Sequence, residues 1–194
     1  MNRTATIKRQ TRETDITLTL GLDGSGQADI DTGIGFLDHM LEALSLHAGW
    51  DLDLVCRGDL KVDDHHTAED CALALGQALD EALGERKSLT RFGWALAPLD
   101  EALCRAAVDL AARPFSEVDL GLQRDMLGGI ACENLAHFMS SFATAGRFCC
   151  HLDVLKGVND HHRTEAAFKS LALALKQALV PTGTGEAPST KGVL

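Results

Sequence analysis

Two hexapeptides in this chain carry the residue types that hold metal ions, and they are near copies: Asp64-His-His-Thr-Ala-Glu69 and Asp160-His-His-Arg-Thr-Glu165. They stand 96 residues apart in a chain of 194, about half its length. An Ala/Leu-rich run follows each, ending in Gln-Ala-Leu79 and Gln-Ala-Leu179. A period this long marks a duplicated half-domain, not a solenoid repeat. On a helix, each motif's two histidines lie three and four residues from its glutamate, so either can share a face with it. Adjacent histidines diverge by about 100° and are poorly placed to chelate one ion together. They can serve two ions, or ions on two sides of an interface. Asp64 and Asp160 suit an N-cap or an acceptor for an imidazole N–H. Imidazole plus carboxylate, with no thiolate required, favours Mn, Fe or Zn over Ca or Mg.

Two further histidines follow the same plan. His39 precedes His65 by 26 residues and His137 precedes His161 by 24, so they too are repeat-related. The repeat thus selects six of the eight histidines, together with Glu69 and Glu165. They divide evenly into two sites of three His and one Glu, each with open positions for substrate and water. A single histidine on an amphipathic stretch would read as a satisfied core residue; symmetric placement reverses that.

The elements that must position these ligands show in the periodicity. Alternating segments predict strands at 5–8, 15–22, 28–31 and 50–57, with helices over 36–48 and 67–83. The second half repeats the order: strands at 94–99, 105–109, 117–120 and 148–154, helices over 130–145 and 163–180. Helices that follow hairpin-like strands, without alternating with them, indicate an α+β fold. The expectation is an internally duplicated, layered sandwich in which two similar half-domains each have a small sheet covered by two helices. The first half spans 1–92, the second 93–181, and a tail of loop composition 182–194, which by itself suggests a disordered end.

Composition narrows the function classes. A net charge of −10 argues against nonspecific binding to nucleic acid or an anionic membrane, while leaving room for a few local cations around a phosphate. The first residues lack the apolar core of a signal peptide, and no stretch approaches a membrane span. The six scattered cysteines read as buried, reduced thiols of a cytoplasmic protein.

Over essentially its whole length the chain resembles the imidazoleglycerol-phosphate dehydratase family, in its monofunctional form. The matching stretches include Arg12-Glu-Thr14, Gly35-Phe-Leu-Asp-His-Met40, both hexapeptides, Arg91-Phe-Gly93, Asp100-Glu-Ala-Leu103, Ala111-Ala-Arg-Pro114, Glu165-Ala-Ala-Phe-Lys169 and Pro188-Ser-Thr-Lys-Gly192. The resemblance implies a hydro-lyase of histidine biosynthesis that converts D-erythro-imidazole-glycerol phosphate to imidazole-acetol phosphate. It implies two Mn²⁺ per active site, held by His39, His65, His66, Glu69, His137, His161, His162 and Glu165. It also implies a 24-subunit shell, or its trimeric precursor, with sites shared between subunits.

The same resemblance makes Glu13 the base or proton shuttle, with His47 assisting at the substrate hydroxyls. It assigns the phosphate to Arg91, Arg113, Ser189 and Lys191, with Lys169 a further substrate contact and the tail ordering over bound substrate. The proton lost from substrate carbon 2 is not next to a carbonyl, so elimination needs electron push from elsewhere. An imidazole deprotonated between two cations supplies it, expelling the adjacent hydroxyl through a diazafulvene-like intermediate. Two departures from the family pattern are Glu42-Ala43 in place of Asp-Gln and Met139 in place of Phe. A metal-buffering protein would leave Glu13, the arginines and the tail unexplained, and a binuclear hydrolase usually takes more carboxylates.

Overall fold

The computed structural model describes residues 3–192 and 194; Met1, Asn2 and Val193 fall outside the description. The first half runs β1 (Thr4–Gln10), β2 (Thr14–Gly21), β3 (Ala28–Asp31), α1 (Gly35–Ala48), β4 (Asp51–Gly58) and α2 (His65–Leu83). The second runs β5 (Phe92–Leu99), β6 (Ala102–Asp109), β7 (Phe115–Asp119), a short β8 (Met126–Leu127) and β9 (Ile130–Ala131), α3 (Cys132–Ala145), β10 (Cys149–Lys156) and α4 (Asp160–Ala178).

The duplication extends to topology. One sheet has the order β1-β2-β4-β3 and the other β5-β6-β10-β7, with the third and last strands of each paired in parallel. The fold is the expected duplicated α+β sandwich. Its helices alternate with strands more than the hairpin reading implied, because α1 and α3 are the crossovers that parallel pairs require. The β8–β9 hairpin has no counterpart in the first half, and its two-residue strands are too short to give a periodic signal.

Each sheet turns an apolar face inward. On β2, Ile16, Leu18 and Leu20 are buried, and Thr17 between them is exposed. Helices α2 and α4 lie on their own sheets, α2 also packs on α3, and α1 packs on α4, so the helices form the middle of the sandwich. Phe138 of α3 and Phe168 of α4 meet there at 5.8 Å between ring centroids, both fully buried. Each such side chain contributes about 1.5–3 kcal/mol by leaving water. Close approach at the start of α2 requires Gly58: a Cβ there would sit 2.0 Å from the Thr67 hydroxyl oxygen.

Five of the six cysteines are buried, and none forms a disulfide among the described residues. Burial raises Cys150 to about 12 and Cys104 to about 11. No helix is long and apolar enough to cross a membrane, among the described residues.

Candidate metal centres

Both ligand-bearing helices begin earlier than the periodicity suggested, which places the histidine pairs in the first turn. The carboxylate of Asp63 accepts from His65 N at 2.9 Å, and the side chain of Asn159 accepts from His161 N at 2.9 Å. These residues cap the backbone, and Asp64 and Asp160 do not. Asp64 instead accepts from Asn134 Nδ2 and Ala131 N, both at 2.8 Å. Asp160 accepts from the amides of Gln123 and Arg124 at 2.8 Å and pins that loop.

The ligands gather into two clusters, and each mixes the halves. His39 of α1 meets His161 and Glu165 of α4; His137 of α3 meets His65 and Glu69 of α2. Within each, the ligand atoms lie within 4.8 Å of one another. The expected division into three His and one Glu is not formed within one chain. Two His and one Glu come together in each cluster, while His66 and His162 point elsewhere, as the 100° divergence of neighbours on a helix dictates.

In the α2/α3 cluster, His137 Nε2 is 2.9 Å from Glu69 Oε1, and the His65 and His137 rings stack at 5.0 Å. His65 Nδ1 is 2.9 Å from Asn134 Oδ1. The Asp64 carboxylate can only accept, so Asn134 must turn its NH₂ to Asp64 and its oxygen to His65. His65 therefore carries a proton on Nδ1, with Nε2 turned toward Glu69 at 3.9 Å.

In the α1/α4 cluster, His161 Nε2 is 3.2 Å and His39 Nε2 3.4 Å from Glu165 Oε2. Lys169 Nζ, one turn along α4, lies 2.6 Å from Glu165 Oε1. Burial pushes Glu165 upward, but the Lys169 hydrogen bond and charge outweigh it and hold the carboxyl below its ordinary value. His47 lines the adjoining cleft of about 250 Å³ with Ala43 and Lys169. Burial first, then the Lys169 charge, lowers its pKa, so the ring is neutral near pH 7.

The two outward histidines are also paired by symmetry. His66 Nδ1 is 3.0 Å from Asp59, and its Nε2 is 3.7 Å from Glu13. His162 Nδ1 is 2.7 Å from Glu101, and its Nε2 is 3.9 Å from Asp100. These hydrogen bonds raise both histidines, and the one to His162 is the main reason Glu101 falls to about 2.

The expected phosphate residues lie at the far end of the second sheet. Arg91 N donates to Ala178 O near the end of α4, about 20 Å from Glu165 at 1.5 Å per residue. Its side chain gives Nε and Nη2 to Asp109 and Nη1 to Pro188 O at 2.8 Å. That bond brings Ser189 close by, and Ser189 Oγ accepts from Lys191 N. The tail runs back along the segment joining the halves, with Glu186 O accepting from Ser88 N at 2.8 Å. Arg113, exposed, precedes β7, whose Phe115 lies in one row across the sheet with Cys149 and Asp109.

A cleft of about 570 Å³ between the 118–125 segment and α3 contains none of the expected site residues. The residue types and spacings here fit a divalent metal: imidazole nitrogens beside carboxylate oxygens, one ring held at Nδ1 by Asn134. Sequence reading missed Asn134, Asp59 and Asp100–Glu101 as partners of the histidines. Asn134 carried a usable signal, since it stands three residues before His137 on one face of α3. Asp59 and Glu101 approach only through the fold.

A family model described as imidazoleglycerol-phosphate dehydratase matches residues 32–175. The chain is 52% identical to the imidazoleglycerol-phosphate dehydratase of Candida glabrata, over 98% of this chain and 99% of that protein. It is 50% identical to that of Saccharomyces cerevisiae, over 98% and 97%. Among solved structures, imidazoleglycerol-phosphate dehydratase from Staphylococcus aureus superposes with a TM-score of 0.84 at 32% identity, over 92% of this chain and 99% of that one. The Pyrococcus furiosus structure, in complex with (S)-C348, gives 0.83 at 38% identity, over 97% and 100%.

Proposed function

Because this chain belongs to the imidazoleglycerol-phosphate dehydratase family, we propose that it dehydrates D-erythro-imidazole-glycerol phosphate to imidazole-acetol phosphate in histidine biosynthesis, in the cytoplasm, with two Mn²⁺ per active site. The observation that carries the reading is the pair of His–His–Glu clusters, each built across the boundary between the halves. Two bound ions would supply Lewis acidity toward the substrate's imidazole ring, the acidity that an imidazolate reading of the elimination calls for.

The protein's own groups supply the rest. His39, His161 and Glu165 form one ligand set, and His65, Glu69 and His137 the other. Their histidine side chains are 41–48% exposed, so both sets open at the surface. His66 and His162 hold their Nδ1 atoms on carboxylates and have Nε2 3.7 Å from Glu13 and 3.9 Å from Asp100, apart from both clusters, which suits them to complete the sets of neighbouring copies. The phosphate residues support the same conclusion. Arg91, held at Ala178, is about 20 Å along α4 from Glu165, too far for one chain to hold both ends of a small substrate between them. This separation supports reading the active site as one shared between copies, as in a 24-subunit shell built from trimers.

Within that site, Glu13, half-exposed beside His66, takes the carbon-2 proton, and neutral His47 hydrogen-bonds the hydroxyl end. Lys169 steadies Glu165. Arg91 uses three of its five N–H donors on Asp109 and Pro188, which leaves two for a phosphate oxygen pair, supported by Arg113, Ser189 and Lys191.

The test is Mn²⁺-dependent formation of the ketone product, read as enolate absorbance in base, with a chelated control and Glu13→Gln alongside. Product that disappears on chelation and returns with Mn²⁺ is expected, with no phosphate release. Glu13→Gln should retain metal and substrate while turnover collapses. Released phosphate would indicate a hydrolase, and normal turnover by Glu13→Gln would remove that residue from the proton transfer.

A further inference from the structure

Asp70, one position beyond the proposed ligand Glu69, is 5% exposed and has partners from two other elements. One of its carboxylate oxygens accepts from Arg9 Nη1 at 2.8 Å and from the Thr14 hydroxyl. Arg9 is near the end of β1 and Thr14 begins β2, so this oxygen grips both strands flanking the turn that carries Glu13. The turn is closed on itself: Thr11 Oγ1 accepts from the amides of Glu13 and Thr14 at 3.1 and 3.0 Å, and Thr11 N donates to Thr14 O. Asp70 also lies four residues after His66, on the same face of α2. One helix face thus fixes both His66 and the turn that holds Glu13 3.7 Å from it.

The second half shows that the fold does not need this clamp. Strand register makes Ala97 and Ala102 the counterparts of Arg9 and Thr14, the repeated hexapeptide makes Ala166 that of Asp70, and all three are buried. There the turn is fixed by its own carboxylate: Glu101 accepts from the amides of Val158 and Asn159 while bonded to His162. That carboxylate is committed to structure. In the first half, Asp70 anchors the turn, and Glu13 is left with no such bonds.

We propose that Asp70, with Arg9 and Thr14, is a positioning device that sets Glu13 at its working distance from the substrate while leaving its carboxylate free. This rests on the reading of Glu13 as the proton-transferring group. A displacement of about 1 Å in such a group can cost about a hundredfold in rate.

The experiment is a double-mutant cycle in the full-length, Mn²⁺-loaded protein, with kcat, KM, bound metal and assembly size measured for each variant. Asp70→Asn should lower kcat by about tenfold to a hundredfold, with KM and metal content unchanged, and have no further effect in a Glu13→Gln background. Thr14→Val, which leaves α2 untouched, should show the same kcat-only pattern more weakly and serves if Asp70→Asn does not assemble. An equal loss with and without Glu13, or a loss that tracks bound metal, would overturn the proposal. Wild-type kcat in Asp70→Asn, with Glu13→Gln impaired, would sink the clamp alone. Full activity in Glu13→Gln would remove the base assignment and the clamp together.

Discussion

In the α2/α3 cluster, His65 is turned by a side-chain relay, Asp64 to Asn134 to His65. In the α1/α4 cluster the position matching Asn134, three residues before the helix-borne histidine, is Phe36, whose ring meets His161 edge-on at 5.1 Å. The position four residues after the glutamate is Lys169 in one cluster and Leu73 in the other. Four residues after the crossover histidine, Ser141 lies 3.4 Å from His137, and Ala43 stands opposite it beside His39. The ligands have been kept symmetric while their supports have diverged. One cluster is braced by hydrogen bonds, which suits a structural or templating ion. The other is packed against an aromatic ring and opens onto a cleft with a cation and a neutral histidine, which suits handling substrate.

The sharpest way to break this comparison is to remove one crossover ligand at a time. His39→Ala and His137→Ala should each abolish turnover, and each should lose one class of bound Mn²⁺ and keep the other, counted by metal analysis of the assembled protein. Loss of both classes from either variant would show that the clusters are not independent.

A smaller effect is expected from the supports. Asn134→Leu should weaken metal binding at one class of site by about 10–100-fold, because His65 loses the partner that fixes its tautomer. Phe36→Leu should leave both affinities close to wild type, measured by titration calorimetry. Equal weakening would mean that both rings are oriented in the same way after all.

The smallest effect concerns His47. Its pKa is lowered first by burial and then by the Lys169 charge, so Lys169→Met should move the titration upward, toward the ordinary histidine value, without reaching it. Chemical-shift titration of His47 in metal-free protein reads this directly. An unmoved titration would mean that the lysine charge is spent wholly on Glu165.

Much of the fold was legible because periodicity is local. Alternation located the main strands, and Gly49 and Gly146 ended the helices where expected. Helix starts were less legible: Asp63 and Asn159 cap α2 and α4, one residue before the aspartates that the motif draws attention to. For the site, residue types and their duplication selected the ligand set, and the divergence of adjacent histidines already suggested different destinations. The grouping could not be read. Intervals along the chain tie His39 to His65, but in space His39 belongs with His161, because α1 packs on α4 and α3 on α2.

By itself, then, the sequence determined the duplication, the candidate ligands and the local elements that carry them, since each depends on residue type and short-range spacing. Only the tertiary structure decided which half supplies each ligand to which cluster, that Asp59 and Glu101 hold the outward histidines, and that three alanines replace the Asp70 clamp in the second half. It also decided that Arg91 lies at the opposite end of α4 from Glu165. These are matters of helix packing between the halves and of strand register, set by burial of a shared core between residues far apart in the chain.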